Sequence, residues 1–571
     1  MNKKLVVTLL MAALLSLLAG CGRNEEIVPA ASISEDGVRD HVEFTWYRNY
    51  DWGTPPTWGD DVISAYWSEK FNISVNMDAP DAIPREVMNL MITAGDLPDA
   101  IWMERDPLNV EMTRLGLFYS IDELIAFGYD NWFHDNVPAS TQNFHAVDGV
   151  NYTIPNWVRM GEPGVLGGAT GGNQAWMKTA GVYEAVGSPT LATFEDMYEY
   201  AVLIRDANLT NHADAPIIPV LFNGGPNYGQ EFVMGIFLSM GGVSDGWGSW
   251  YGINQDGMYG TLWSNSVWRA AVLEANRWHR EGLFPATNLT NSQDQFEENL
   301  IGGRGGLIYH DHSVDNSVAF RRLLGEADPG NSVELIYHTI GNDNFIFLPA
   351  RGLSHESINH QVHGTLGWNG TFITKGASNP GRIFELLTWM LSPLGSVEMM
   401  FGPQGHLWDS LTAEGYPILH TSPDTLTGEQ RSDLGLWRWD MKGHANNVDN
   451  AKFAANAMLP PEERNWVDYM QATIFTPRLR LSDEFQLFAQ TIDSTSDLGI
   501  RRQMIEDRFQ EMLPQILLAS TEADAIRMFD ETRDFAFENG MAEIVELYNE
   551  RWEYNKSLQG GSIFDLDNIP R

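Results

Sequence analysis

Two short stretches carry the letters of known catalytic sites, but neither has the surroundings that the chemistry needs. Gly242–Gly246 reads G-x-S-x-G, a pattern that requires a strand before the serine and a helix after it. Here an apolar, helix-like run comes first and turn residues follow. His355 and His360 lie five residues apart, whereas the zinc-binding H-E-x-x-H motif uses a spacing of about four to put both histidines on one helix face. These stretches predict no hydrolytic centre.

Histidines and carboxylates elsewhere give no stronger catalytic signal. His310-Asp311-His312 could bind a metal ion, but the sequence names no third ligand. We favour a hydrogen-bonding role for these residues at the end of a strand. The chain has 76 Asp and Glu residues, so carboxylate pairs arise by chance and do not by themselves predict glycoside hydrolysis. We predict that the protein is not an enzyme.

Tryptophan residues beside polar side chains form the next group of candidates. The chain has 20 Trp, many of them in loops. Sugar rings present flat C–H faces and hydroxyls, so a cleft that binds them needs aromatic platforms with polar side chains at the rim. The candidate ligand-binding residues are Arg48, Asn49, Trp52, Trp102, Asp106, Trp157, His310, Asp311, His312, Trp368, Asn369, His406, Trp408, Trp437 and Trp439. Core packing is the alternative for each one alone, and Trp268 and Trp278, at helical spacing, are assigned to the core.

A loop after a predicted helix has oxygen-bearing side chains at the spacing of a calcium loop. The candidate metal ligands are Asp206, Asn208, Thr210 and Asp214. Asn211 stands where a glycine normally makes the sharp turn, and Ala215 stands where a carboxylate is expected. A metal-free loop is therefore the favoured alternative. Any bound calcium would be structural, and no cofactor is required.

The elements that must position these residues alternate between strands and helices. Val42, Phe44 and Trp46 alternate with polar neighbours, as in a strand, and Pro84 opens a helix that Gly95 ends. The buried face predicted for that helix is Val87, Leu90, Met91 and Ala94. The order strand, helix, strand, helix, strand indicates an α/β fold with a largely parallel sheet. The last ~70 residues are predicted to be mainly helical.

The N-terminus has the anatomy of an export signal. Two lysines precede an apolar run from Leu5 to Leu18, which is shorter than the roughly 20 residues that span a membrane. Leu18-Ala19-Gly20-Cys21 resembles the lipobox of bacterial lipoproteins, which implies cleavage before Cys21 and diacylation of its sulfur. The alternative is an ordinary signal peptide with a chance cysteine.

Length, charge and cysteine count limit the classes of protein further. The 571 residues exceed the ~250–300 at which single cores stop growing, so at least two domains are expected. The net charge of −40 repels nucleic acid, so no nucleic-acid partner is predicted. A single cysteine excludes an intramolecular disulfide.

Five motifs occur in an order that is found in a known family. They are Asn89–Asp99 (NLMITAGDLPD), Tyr152–Pro155 (YTIP), Glu281–Phe284 (EGLF), Gly302–Gly306 (GGRGG) and Phe401–Trp408 (FGPQGHLW). Together they resemble the large lipoprotein subset of family 1 extracellular solute-binding proteins of ABC importers, over residues 41–555. The best-known relatives bind alginate oligosaccharides and have His-Asp-Trp where this chain has His310-Asp311-His312, so His312 replaces an aromatic platform.

The resemblance implies a two-lobe, periplasmic-binding-protein-like α/β fold with crossover hinge strands and a helical C-terminal segment. The expected segments are a signal peptide (1–20), a flexible tether (21–40), lobe one (41–155 with 365–410) and lobe two (156–364 with 411–571). The implied function is capture of an oligosaccharide or similar polar solute in the cleft between the lobes, for delivery to ABC permease subunits. We expect a monomer, lipid-anchored on the extracytoplasmic face of the cell membrane. A secreted glycosidase or lyase and a ligand-presenting sensor subunit are the alternatives.

Overall fold

The structure is a computed structural model that describes residues 40–50, 55–127, 131–158, 174–224, 229–246, 248–310, 313–340, 343–345, 347–354, 361–363, 365–436, 438–439, 445–475, 479–486, 491–558 and 561. The strands are β1 (Val42–Arg48), β2 (Ile73–Asp78), β3 (Ala100–Glu104), β4 (Ile154–Pro155), β5 (Ala175–Thr179), β6 (Ile218–Phe222), β7 (Val243–Ser244), β8 (Tyr251–Ile253), β9 (Tyr259–Thr261), β10 (Gly305–His310), β11 (Val333–Leu335), β12 (His338–Ile340), β13 (Asp343–Phe345), β14 (Gln361–His363), β15 (Asn369–Ile373), β16 (Trp408–Leu411), β17 (Pro417–Leu419) and β18 (Leu479–Leu481). The α-helices are α1 (Val62–Phe71), α2 (Pro84–Ala94), α3 (Pro107–Arg114), α4 (Ile121–Ala126), α5 (Trp132–Asn136), α6 (Ala139–His145), α7 (Ala180–Ala185), α8 (Phe194–Ala207), α9 (Gln230–Ser239), α10 (Ser266–Arg280), α11 (Gln293–Ile301), α12 (Ser313–Ala327), α13 (Pro380–Leu391), α14 (Pro393–Phe401), α15 (Gly428–Leu434), α16 (Ala445–Met458), α17 (Trp466–Met470), α18 (Asp497–Leu517), α19 (Glu522–Glu538) and α20 (Met541–Leu558).

The first sheet has five strands in the order β2-β1-β3-β15-β4. β1 pairs in parallel with β2 and with β3, and α1 and α2 provide the crossovers that parallel neighbours need. β15 is antiparallel to β3, and β4 is antiparallel to β15. The predicted alternation of strands and helices over this region is confirmed. β15 returns from far along the chain, so two distant segments build one sheet.

Local signals end the helices of this sheet as predicted, but one buried face is only half right. Ser120 forms the capping box of α4, and Gly95 ends α2 at φ 69, a left-handed conformation that glycine adopts without steric cost. On α2 only Met88 is fully buried; of the predicted face, Val87 and Met91 pack partly buried on the same cluster, whereas Leu90 is 70% exposed and Ala94 is exposed too. Met88 packs with Tyr47 and other residues in a small cluster over β1 and β3, so the helix buries a narrower stripe than its composition suggests.

The second sheet has four strands in the order β11-β5-β10-β6. β10 is parallel to β6 and antiparallel to β5. Trp268 and Trp278 of α10 are fully buried in the core beside this sheet, which confirms their assignment. Helix α9 comes directly before Val243–Ser244 of β7, the reverse of the order that a nucleophilic serine turn requires.

Three long helices complete this second core. Phe509 of α18, Phe529 of α19 and Trp552 of α20 are buried in the same cluster as the second sheet. Thr521 caps α19 through the Asp524 N–H. The helical C-terminal segment is therefore confirmed. Within the part of the chain described here, no helix is both long and apolar enough to cross a membrane.

Parts of the segment after β16 pack against elements of the first sheet and its helices. Val448 and Ala451 of α16 share a buried cluster with Val397 and Phe401 of α14, and Trp439 belongs to the core of the first sheet. The lobe boundaries remain a prediction. This packing favours a first lobe that extends to about residue 459 instead of ending at 410.

Candidate ligand-binding site

Residues from three strands meet at one edge of the first sheet. β1 and β3 run in parallel with Arg48 opposite Trp102, so both strands end at the same edge. The Asn49 N–H donates to the Trp102 carbonyl at 2.9 Å. β15 runs the other way and begins here, with Asn369 opposite Glu104. The structure thus brings four predicted residues, from distant parts of the sequence, to one place.

Three aromatic rings lie at the centre of this edge. The ring centroid of Tyr50 is 4.9 Å from that of Trp102 and 5.8 Å from that of Trp368, and the two tryptophans are 6.0 Å apart. Trp368 is 38% exposed, against 3% for Trp102 and 7% for Tyr50. Trp368 is therefore the accessible platform, and the other two rings support it. Tyr50 is not among the predicted residues, although it follows β1 in the same loop as Asn49.

Side-chain amides around these rings have unused hydrogen-bonding capacity. Oδ1 of Asn49 and Nδ2 of Asn156 are buried without a partner among the described residues. Asn369 is fully buried, and apart from the nearby Tyr50 hydroxyl its amide has no partner in that part of the chain. Buried polar groups are nearly always hydrogen-bonded, so these amides are suited to the hydroxyls of a ligand or to water.

Asn156, another residue that the sequence did not single out, connects this edge to residues 154–157, the segment around β4 that is called the first crossover below. Its Oδ1 accepts the N–H groups of Trp368 and Asn369 at 3.1 and 3.0 Å. The side chain therefore fixes the backbone that carries the platform. The signal available in the sequence was its place directly after the Tyr152–Pro155 motif.

Two acidic residues, Glu104 and Asp106, follow Trp102 and have different roles. The Glu104 side chain reaches solvent, yet the protein packed around its carboxyl raises the pKa of Glu104 to about 7, an effect that Arg105 opposes and Asp106 reinforces. Asp106 accepts the Asn109 N–H at 3.1 Å and caps α3, while burial raises its pKa. Asp106 thus has a structural role that the prediction did not include.

Arg105 lies close enough to Tyr50 and Glu104 for its charge to act on both, and it holds residues 365–369, the segment that leads into β15 and is called the second crossover below. Its Nη1 donates to the Leu366 carbonyl at 2.7 Å, and its Nη2 donates to the Gly367 carbonyl. His145 lies 2.8 Å from Nη1, and burial, followed by the Arg105 charge, lowers the pKa of His145 well below its ordinary value. His145 is therefore neutral, and the crossover is fixed directly beside Trp368.

Three predicted tryptophans lie in packed surroundings instead. Trp408 is 3% exposed, and its Nε1 donates to the Gly402 carbonyl at 2.9 Å. Trp439 is 1% exposed, with its ring 4.9 Å from that of Trp58. Both are corrected to core residues, since neither presents a face to a ligand. Trp157 packs against the cluster that contains Trp408 but keeps part of its surface, so its ligand role stays a prediction.

The two predicted histidines that the structure describes lie on other elements than the three rings. His310 ends β10 in the second sheet, is 2% exposed and stacks on Phe296 at 4.9 Å. His406 is exposed in the turn before β16. Five further predictions lie outside the described residues: Cys21, Trp52, Asp311, His312 and Trp437.

The predicted calcium loop closes on itself through Asn211. The Asn211 Oδ1 accepts the N–H groups of Ala213 and Ala215 at 3.1 and 2.8 Å, and its Nδ2 donates to the Gly302 carbonyl at 2.6 Å. The side chain therefore performs the cross-linking that a central cation provides in a calcium loop.

One of the four candidate metal ligands of that loop has a competing partner, and the other three are described by their backbone. The Asp206 carboxylate pairs with Arg205 at 2.8 Å, and Asn208 ends α8 at φ 47. Thr210 pairs with Pro216 in an isolated bridge, and Asp214 has φ 58. Among the described residues, no group of three or more His, Cys, Asp or Glu side chains could hold a metal ion. This donor set does not fit calcium as arranged.

Comparison with known proteins identifies the fold. No protein-family model and no curated protein matches the chain. Among solved structures, it is similar to the Streptococcus pneumoniae ABC-transporter substrate-binding protein FusA in complex with kestose, with a TM-score of 0.65 at 13% identity over 90% of this chain and 99% of that one. An HMO-binding, ABC-transporter-associated solute-binding protein from Bifidobacterium longum infantis gives 0.60 at 14% over 90% and 99%. The alginate-binding protein AlgQ2, solved without calcium ion, gives 0.57 at 14% over 92% and 100%. The chain therefore has the two-lobe α/β fold of the extracellular solute-binding proteins of ABC transporters.

Proposed function

We propose that this protein captures an oligosaccharide at the strand ends of the first lobe and delivers it to the permease subunits of an ABC importer. The observation that carries the proposal is the exposed Trp368 platform, backed by Tyr50 and Trp102 and surrounded by amides with unused hydrogen-bonding capacity. The fold supports it, because the solved neighbours include complexes with an oligosaccharide.

In this proposal both stacking on an aromatic ring and hydrogen bonds to sugar hydroxyls contribute to the free energy of oligosaccharide binding. The face of Trp368 takes the apolar C–H face of a sugar ring, and the partly exposed Asn49 side chain takes its hydroxyls. The buried amides of Asn156 and Asn369 support the platform from behind. Closure of the second lobe is a population shift toward the ligand-bound state. No step of this process breaks a covalent bond, so the proposal excludes turnover.

In this proposal the N-terminal segment determines where in the cell the protein is located. Acylation of Cys21 anchors the protein on the extracytoplasmic face of the membrane, and residues 22–40 act as the tether. The support is the sequence pattern Leu18-Ala19-Gly20-Cys21 after a short apolar run.

We propose further that the loop at residues 206–214 works without calcium. One neighbour is described as a FusA EF-hand mutant, which names such a site in that protein. In this chain Asn211 takes the central position and Arg205 neutralises Asp206.

The function is tested by calorimetry and thermal unfolding of the mature protein with a panel of neutral, acidic and amino oligosaccharides. A true ligand raises the stability by about 2.7 kcal/mol at 100 times its Kd. Trp368→Ala is expected to weaken that binding about tenfold or more, which corresponds to about 1.4 kcal/mol. Tyr554→Ala, which removes a 53% exposed aromatic ring on α20, is the matched control and should leave Kd unchanged. Release of shortened sugars, or binding that is insensitive to Trp368→Ala, would contradict the proposal.

A further inference from the structure

We propose that the sugar unit held at Trp368 carries an ammonium group, so that the captured solute is an oligosaccharide containing an amino sugar. This inference rests on the function proposed above and adds the charge of the ligand. It follows from three features of the same strand ends: an exposed indole, an adjacent carboxyl group on a side chain that reaches solvent, and two neighbouring arginines that are buried.

The indole provides one half of a cation site. A positive charge over a tryptophan face is attracted by the negative potential of the ring. Trp368 is the exposed member of the three-ring cluster, and Tyr50 and Trp102 lie behind it at 5.8 and 6.0 Å. A ligand can therefore cover the Trp368 face without moving the supporting rings.

Glu104 provides the other half. It lies directly opposite Asn369, the residue after Trp368, and directly opposed residues of an antiparallel pair have their side chains on the same face. The Glu104 carboxylate and the Tyr50 hydroxyl are hydrogen-bonding neighbours. The buried Asn369 amide, with its unused hydrogen-bonding capacity, lies beside both.

The two nearest arginines are buried: Arg105 acts on the Glu104 carboxyl through its charge, but neither Arg105 nor Arg48 is exposed enough to pair with an anionic ligand. Arg105 is 8% exposed and donates to the Leu366 and Gly367 carbonyls. Arg48 is 6% exposed. Arg85, which acts on Asp106, is exposed on α2. A carboxylated sugar at Trp368 would meet the charge of Glu104, whereas an ammonium group would pair with it.

The protonation state of Glu104 provides a second measurable consequence of the proposal, the release of a proton on ligand binding. Its neighbours that carry or can take a charge are Tyr50, Arg105 and Asp106. Because burial of the carboxyl and the Asp106 charge outweigh the attraction of Arg105, Glu104 is partly protonated near neutral pH. Pairing with a cation favours the ionised carboxylate, so binding of an amino sugar releases a proton from Glu104, whereas binding of a neutral sugar has no such requirement.

The test is titration calorimetry at pH 5.5, where the glucosamine amines are already protonated and Glu104 is mostly protonated, so that any proton released comes from the protein. The ligands are tetramers of glucosamine, N-acetylglucosamine and glucose, and the titrations are repeated in buffers of different ionisation enthalpy. We expect the glucosamine tetramer to bind at least tenfold more tightly than the other two, with net proton release and with affinity that falls as salt is added. Glu104→Gln should weaken the glucosamine tetramer at least tenfold, abolish proton release and change the neutral tetramers less than threefold. Glu111→Gln, an exposed carboxylate on α3, is the control, and thermal unfolding shows whether each variant folds.

The possible outcomes distinguish a failure of the ammonium site from a failure of the proposed oligosaccharide capture. Equal or tighter binding of the neutral tetramers by the wild-type protein, with no salt dependence, would overturn the ammonium site and leave oligosaccharide capture intact. Tight binding of a uronic-acid oligomer at Trp368 would do the same. If no oligosaccharide of any charge binds, both the inference and the proposed function fail.

Discussion

At the scale of single residues, Glu398 shows how the first lobe holds a buried charge. The side chain is 4% exposed and accepts from the Nε1 atoms of Trp67 and Trp389 at 2.8 and 2.9 Å. Lys70 donates at 3.1 Å, and its Nζ lies 3.4 Å from the centroid of the Trp389 ring. One carboxylate thus joins α1, α13 and α14 and satisfies two indole N–H groups.

Glu398→Ala is therefore expected to destabilise the protein by about 3 kcal/mol, because it leaves a lysine and two indole donors without their shared acceptor. Urea-induced unfolding measures this change. Glu398→Gln keeps an acceptor for the indoles and should cost less. Glu69→Ala, an exposed residue of α1, should stay within about 0.5 kcal/mol; a loss equal to that of Glu398→Ala would show that α1 tolerates no substitution and that the network is not the cause.

Single residues also show how much of the site can be predicted from the sequence. Arg48, Asn49, Trp102 and Asn369 could be selected because they stand at strand ends, where open α/β sheets bind ligands. Trp368 and Trp439 look alike in sequence, since both stand beside polar residues in irregular stretches. Their exposure differs because Trp439 packs on Trp58, and local pattern cannot reveal such a distant partner.

At the scale of elements, the second crossover is the segment on which the platform depends. Arg105 fixes the carbonyls of Leu366 and Gly367, and Thr365 donates to the Asp483 carboxylate through its N–H and its hydroxyl. A side chain on Gly367 would overlap the carbonyl of Asn156, and the backbone there has φ +72. The two crossovers touch at this glycine.

Gly367→Ala is expected to destabilise the protein by more than about 1 kcal/mol, since both the left-handed conformation and the overlap oppose the substitution. It should also weaken oligosaccharide binding, because Trp368 is the next residue. Melting temperature and Kd are the measurements. Gly376→Ala, where the new atom would lie 3.7 Å from Thr374 Oγ1 at ordinary φ, should change neither; a tolerated Gly367→Ala would refute the close contact between the crossovers.

Elements were more predictable than their contacts. The alternation of β1, α1, β2, α2 and β3 follows from apolar periodicity and from Pro84 and Gly95, which are local signals. The pairing of β15 with β3 joins residues far apart in the chain, and periodicity carries no information about partners. The buried face of α2 was half right for the same reason: Val87 and Met91 pack on the cluster around Met88, but that cluster leaves Leu90 and Ala94 exposed.

At the scale of the whole molecule, a buried polar cluster ties the β7–β9 hairpins to the C-terminal helices. Tyr259 donates to Asp245, and Tyr251 donates to Glu506 of α18 at 2.9 Å. Tyr548 of α20 lies 4.9 Å from Tyr251, ring to ring. Burial raises the pKa of Asp245 to about 6 and raises the pKa of Glu506 as well. The protein therefore folds more favourably when Asp245 and Glu506 are protonated.

This arrangement makes stability depend on pH in a stated direction. Because the pKa of Asp245 rises from 3.8 in the unfolded chain to about 6 in the folded protein, the folded state binds the proton more tightly. The contribution of Asp245 to the free energy of unfolding is therefore most favourable below pH 4. It falls as the pH rises from about 4 to 6, and above that range it stays lower by about 3 kcal/mol. Asp245→Asn keeps an acceptor for Tyr259 but cannot ionise, so its stability relative to wild type should increase by about 1–2 kcal/mol between pH 5 and pH 8. Urea unfolding at both pH values measures this difference, with the exposed Asp256→Asn as the control. A constant difference at the two pH values would show that Asp245 does not titrate on folding, and that the pH dependence of the second lobe resides in other groups.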